Sequence, residues 1–143
     1  MNVKTILAAK GGDIISIEPT ADLNAAAKLL AARHIGALVI CGAGGRLSGI
    51  LSERDIVRAL ADHGPESLRQ PVAQFMTRNV ATCHEDDSVA SLMERMTEGK
   101  FRHLPVLRDG ELIGLVSIGD IVKQRVGEIE RESEALRDYI RTA

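Results

Sequence analysis

The chain has 143 residues, of which 45% are hydrophobic and 27% charged, and 18 basic against 20 acidic side chains leave a formal charge of −2. That balance suits one folded domain, or two small units on a shared core, and excludes a disordered tail protein. With no basic excess and only 2% aromatic residues (Phe75, Phe101 and Tyr139), it also speaks against a nucleic-acid partner, which requires phosphate neutralisation or base stacking.

In chain order, Ile6-Leu7-Ala8-Ala9 is too short for the apolar part of a signal peptide. No later stretch reaches the ~18 uninterrupted apolar residues of a membrane span, so the expected address is cytoplasmic, with no membrane partner. Ile14–Ile17 reads as a short strand, and the helical spacing of Leu23, Ala26, Ala27 and Leu30 predicts a helix near Ala21–Arg33. Ala37–Cys41 and Leu47–Leu51 form an apolar pair joined by Gly42-Ala43-Gly44-Gly45, a hairpin pattern, and a second helix is expected from Ser52. The Gly- and Pro-containing stretch 62–74 reads as a linker. The same series then returns: a strand at Val80–Cys83, a helix near Asp87–Glu98, strands at Leu104–Leu107 and Leu112–Val116, and a helix from Ser117. Asp22 and Asp87 suit helix caps or first-turn acids. The last helix runs long, and Val122, Val126, Ile129, Ser133, Leu136 and Ile140 are spaced as a heptad seam. That seam either lies on its own domain or meets a second subunit.

The return is a duplication. Gly49-Ile50-Leu51-Ser52-Glu53-Arg54-Asp55-Ile56-Val57 matches Gly114-Leu115-Val116-Ser117-Ile118-Gly119-Asp120-Ile121-Val122 at an offset of 65, while His34–Ile40 matches Lys100–Val106 at 66. The first copy carries one extra residue in its glycine turn. Each copy has a Ser-x-x-Asp at a helix start, which a capping box explains by itself. A cap does not require Gly49 and Gly114 inside a strand, where glycine is unfavourable, nor Arg102-His103 ahead of an apolar strand. A nucleotide accounts for all of them: close approach at glycine, donors from the helix start and the serine for phosphate, a carboxylate for ribose hydroxyls, and basic side chains for charge.

The repeated Gly-hydrophobic-x-Ser-x-x-Asp closely resembles a tandem cystathionine-β-synthase (CBS) domain pair, or Bateman module, over about residues 1–126. The resemblance implies an α/β (α+β) fold of two pseudo-symmetric β-α-β-β-α motifs packed as one module, with a long C-terminal helix. The expected divisions are 1–62 with the N-terminal segment for the first motif, 63–75 for a linker, 76–126 for the second motif and 127–143 for the helical extension. It implies regulation rather than catalysis, a homodimer of modules, and an adenine-nucleotide ligand (AMP, ADP, ATP or NAD(H), with S-adenosylmethionine behind them) rather than a catalytic cofactor. Two clefts are implied. The better-formed one is expected to use Asp120, Ser117, Arg102 and His103, with Ile15, Ile35, Gly36 and Ala37 from the first copy. The other is expected to use Ser52 and Asp55, with Ala81, Phe101 and Arg102 from the second copy. Gly36 and Ala37 stand where the second copy has Arg102 and His103, so Arg54 is the nearest source of charge there.

Other constellations carry less. Gly42-Ala43-Gly44-Gly45 lacks the third glycine of a dinucleotide fingerprint and precedes a strand. Cys83 and His84, adjacent on a strand, point to opposite faces and cannot share a metal, so no metal site is expected. Cys41 and Cys83 do not form a secreted-type disulfide framework. The leading reading is a nucleotide sensor acting in trans on an unidentified protein target. The competing one is a constitutive dimeric scaffold whose Ser-x-x-Asp pairs are only caps.

Overall fold

A computed structural model describes residues 1–11 and 13–142 of the chain. It is built from two like halves, each a three-stranded sheet with helices. In the first, β1 (Ser16–Ile17) runs parallel to β2 (Ala37–Cys41), which pairs antiparallel with β3 (Leu47–Ser52). In the second, β4 (Cys83–His84), β5 (His103–Arg108) and β6 (Glu111–Ser117) repeat that order and those directions. Even the irregularities repeat, since the register slips between Ile40 and Cys41 and between Val106 and Leu107, 66 residues on. The extra residue of the first copy falls where the sequence puts it, in the turn. Cys41 pairs with Leu47 across a glycine-rich 3₁₀ turn, and Leu107 with Leu112 across a tighter turn in which Asp109 and Gly110 are both left-handed.

Helices α2 (Leu23–Arg33) and α4 (Val89–Gly99) cover the sheets, and α3 (Glu53–His63) and α5 (Ile118–Thr142) follow the third strand of each. Asp22 caps α2 by accepting from the Ala25 N–H at 2.8 Å. Asp87 does not play the same part, because Ser88 is the cap of α4 and Asp87 accepts instead from the His84 N–H at 2.9 Å. Two aliphatic cores result. One is centred on Leu23, Leu38, Ile40 and Leu51, the other on Leu92, Leu104, Val106 and Ile121.

A helix that the sequence reading did not place, α1 (Val3–Lys10), precedes all of these, and it packs on the second core rather than on the first. Val3 and Ile6 are buried there beside Val89 and Val116. The expected linker does the converse: its 3₁₀ turns, Pro65–Arg69 and Val72–Gln74, lie on the first core, where Val72 is fully buried. The exchange is reciprocal down to single bonds. The Val3 N–H donates to the Asp87 carbonyl at 2.9 Å, and the Val72 N–H to the Ala21 carbonyl at 2.7 Å. Each half is therefore completed by the segment that precedes the other half in the chain.

The strand glycines serve this exchange. A Cβ on Gly49 would stand 2.7 Å from both the Met76 sulfur and the Thr77 carbonyl oxygen. One on Gly114 would stand 2.6 Å from Leu7 Cδ2. The close approach that the sequence assigns to a ligand is made by the exchanged segments.

Candidate functional site

Both Ser-x-x-Asp pairs are closed capping boxes. The Asp55 N–H donates to Ser52 Oγ at 3.3 Å, and the Ser52 N–H donates back to Asp55 Oδ2 at 2.8 Å. Ser117 and Asp120 repeat this at 3.2 and 2.9 Å. The first helical N–H of each is taken as well, Glu53 by the Gly36 carbonyl at 3.0 Å and Ile118 by the Arg102 carbonyl at 2.8 Å. The Ser52 hydroxyl also donates to Asp55 Oδ2, at 3.1 Å. The helix starts thus have most of their donors already satisfied, and an anion in this region must be held chiefly by side chains rather than by the helix ends and serine hydroxyls that the sequence suggests.

Such side chains surround a cavity of about 560 Å³ where the halves meet. Ser52, Arg54 and Asp55 line it from the first half, with Ala81, Phe101 and Arg102 from the second, so all six residues expected in that cleft come together. Gly36, Ala37, Arg102, His103 and Ser117, expected in the other cleft, line this same cavity. Two cations that the sequence reading passed over, Arg58 and Lys100, join Arg54 and Arg102 on its wall, against the carboxylates of Glu53 and Asp55. The signal for Arg58 was its place three residues after Asp55, which puts both on one helix face. Lys100 is placed by its left-handed backbone (φ 56°) at the end of α4. Asp55 Oδ1 lies 3.8 Å from the Arg58 guanidinium, whereas Arg54, Lys100 and Arg102 have no carboxylate within 4.0 Å among the described residues. Val80, Ala81 and Phe101 supply an apolar wall. His103 is half-buried, and that burial followed by the nearby Lys10 charge holds its pKa below the ordinary histidine value. The shift favours the neutral imidazole over the charged form.

Asp120 is not among the residues that line this cavity. Asp120 Oδ2 accepts the Lys10 amine at 2.7 Å, and the same amine donates to the Leu115 carbonyl at 2.8 Å, so the end of α1 is tied to the carboxylate oxygen that also closes the capping box. Ile15 and Ile35, expected against adenine there, pack on the first core, and Ile35 also borders a shallower hollow between α2 and α3. Burial raises the Asp120 pKa, but hydrogen bonds from Lys10 and the Ser117 N–H, with the Lys10 charge, outweigh it and leave the carboxyl below its ordinary value. A depressed folded-state pKa contributes stability above the unfolded value, which is lost as pH falls through the folded one. Lys10→Met is therefore expected to cost about 0.5–1 kcal/mol at pH 7, the worth of a partly exposed pair, and to flatten the loss of stability below about pH 4. Urea denaturation from pH 6 to 2 reads this, and a parallel downward shift at every pH would contradict it.

Chemistry of other kinds finds little support. Burial pushes the Cys83 thiol up to about 12 and raises that of Cys41. Among the described residues no cluster of three metal-ligating side chains occurs, and no helix is long and apolar enough to cross a membrane.

The CBS domain family model matches residues 4–62 and 72–127. A crystal structure of a CBS-domain containing protein from Agrobacterium tumefaciens is 45% identical, covering 87% of this chain and 92% of that one at a TM-score of 0.85. The CBS domain pair of protein MJ0100, in complex with 5′-methylthioadenosine and S-adenosyl-L-methionine, is 31% identical at a TM-score of 0.80, over 90% of this chain and 98% of that one. A CBS domain protein from Pyrobaculum aerophilum complexed with AMP is 28% identical at 0.75, over 84% and 89%. Among curated relatives, the mitochondrial CBS domain-containing protein CBSX3 of Arabidopsis thaliana is 36% identical over 80% of this chain, and the match spans 58% of that protein's length.

Proposed function

This chain belongs to the CBS domain family, and from that premise we propose that it is a non-catalytic regulatory module that binds an adenine nucleotide in the cavity at Asp55 and acts in trans on a protein partner, as a homodimer. The cavity between the halves carries this reading. Its size suits a nucleotide, and its two kinds of wall divide the labour. Val80, Ala81 and Phe101 offer an apolar face to adenine. The Asp55 oxygen left outside the capping box faces ribose hydroxyls, and Arg54, Arg58, Lys100 and Arg102 face phosphates. Four cations against two carboxylates favour ligands with more phosphates, so ATP, ADP and NAD(H) rank above AMP, and S-adenosylmethionine, which carries a positive charge, ranks last. Because the ligand touches both halves, it favours the relative orientation it bridges, and it regulates only to the extent that it binds that orientation more tightly.

The test is a thermal-denaturation and calorimetric panel of these ligands. Binding at one nucleotide per chain is expected, with affinity rising about two- to fivefold per added phosphate, as exposed charge pairs allow, and falling with salt. At 100-fold excess over Kd the ligand adds about 2.7 kcal/mol, roughly 6–11 °C in midpoint for a chain of this size. No shift with any of them would favour the second reading, a constitutive scaffold, for which the closed capping boxes are the supporting observation.

A further inference from the structure

Helix α5 is 25 residues long, about 37 Å at 1.5 Å per residue, and only its first turns rest on the body of the protein. Ile121 is its buried side chain, and from Ile129 to Thr142 every residue is exposed. A solitary helical stretch of that length is marginal in water. Yet the stretch keeps an apolar stripe: Val122, Val126, Ile129, Leu136 and Ile140 are all exposed, the last two by 60% and 65%. We infer that α5 pairs in parallel, in register, with α5 of a second copy of this chain, along the seam Val122–Ile140. This deepens the homodimer reading and is independent of the nucleotide.

The charges flanking the seam select both the partner and the direction. With Val126, Ser133 and Ile140 at the a positions and Val122, Ile129 and Leu136 at d, the g positions are Arg125, Glu132 and the uncharged Tyr139, and the e positions are Lys123, Glu130 and Arg137. In a parallel pair each g side chain meets the e side chain five residues on. Arg125 then faces the partner subunit's Glu130, and Glu132 faces the partner subunit's Arg137, so every such contact is attractive. An antiparallel pair of full overlap sets e against e and g against g: Lys123 against the partner subunit's Arg137, Glu130 against the partner subunit's Glu130, and Glu132 against the partner subunit's Glu132. All of those repel. Leu136 at d under β-branched Ile140 at a suits two strands, β-branched Val122 and Ile129 at the other d positions add nothing to that preference, and Ser133 is a polar a residue that fixes the register. Within one chain Arg125 is held by Glu128 at 2.8 Å, a local pair on the same helix that pairing would supplement or replace.

Sedimentation equilibrium of the full chain tests this, with circular dichroism to confirm that each exposed-site variant stays folded. The wild type is expected to be dimeric at micromolar concentration. Arg137→Glu should raise the dimer dissociation constant about tenfold, because two symmetric attractions become repulsions, and Glu132→Lys added to it should restore most of the affinity. Leu136→Asp should leave monomers. If Arg137→Glu leaves the dimer unchanged or tightens it, the parallel seam is wrong, since an antiparallel pair gains a contact with Lys123. If Leu136→Asp remains dimeric, the copies meet elsewhere and the inference fails while the homodimer reading stands. A monomeric wild type overturns both.

Discussion

Gly49→Ala is expected to destabilise the chain by about 2–3 kcal/mol, whereas Gly114→Ala should cost less than about 1 kcal/mol, although the two positions are equivalent in the repeat. The difference lies in what each new methyl group meets. At Gly114 it meets the far end of the Leu7 side chain, which turns aside. At Gly49 it meets the Thr77 carbonyl oxygen as well as Met76, and the backbone cannot rotate away. Displacing Thr77 stretches the paired bonds between Ile50 and Thr77, at 3.0 and 2.9 Å, that fasten the linker to the first half. Alanine's lower unfolded-state entropy returns some tenths of a kcal/mol at both sites and leaves the order unchanged. Chemical denaturation of the two variants side by side checks it; equal costs would mean that the linker yields as freely as a leucine side chain.

Asp55→Ala is expected to lower nucleotide affinity by a hundredfold or more, the worth of about two hydrogen bonds to a charged group, while Asp120→Ala leaves it within about a factor of two. Each variant loses its half of a capping box, about 1 kcal/mol of stability without ligand, and Asp120→Ala loses the Lys10 pair besides, so its baseline should fall by about 0.5–1 kcal/mol more. The ligand-induced shift measured from each variant's own baseline should separate them, because Asp55 lines the cavity and Asp120 does not. A lost response in Asp120→Ala with a preserved one in Asp55→Ala would transfer the site to the other cleft.

Much of this molecule can be read from its residues. The offsets of 65 and 66 announce the duplication, the apolar runs locate β2, β3, β5 and β6, and Ser52 and Ser117 mark where α3 and α5 start. The exchange of segments is the chief feature that went unread, although its trace is present. Val3, Ile6 and Leu7 match Val72, Phe75 and Met76 at an offset of 69. That offset differs from the others, so the match looks like noise until both triplets are seen lying on equivalent strands. The surroundings of Asp120 went unread for a related reason. Arg102 and His103 made the Asp120 side look richer in charge, but Lys10, 110 residues away in sequence, reaches that carboxylate first. Pattern within a repeat says which atoms are offered, and only the tertiary arrangement says which are already spoken for. The Ser-x-x-Asp pairs show this most plainly, since capping and ribose binding call for the same side chains in the same places.

The crossed packing also sets a timetable for synthesis. Val3 and Ile6 are synthesised well ahead of the core that shelters them, which is finished by Ile121, 118 residues later. At about 5–20 residues per second that interval is roughly 6–24 s, during which the leading helix has no place to dock. Residues 13–77, by contrast, contain everything the first half needs and can close on themselves while the remainder is still being translated. The first half can therefore fold before the helix synthesised ahead of it finds its place.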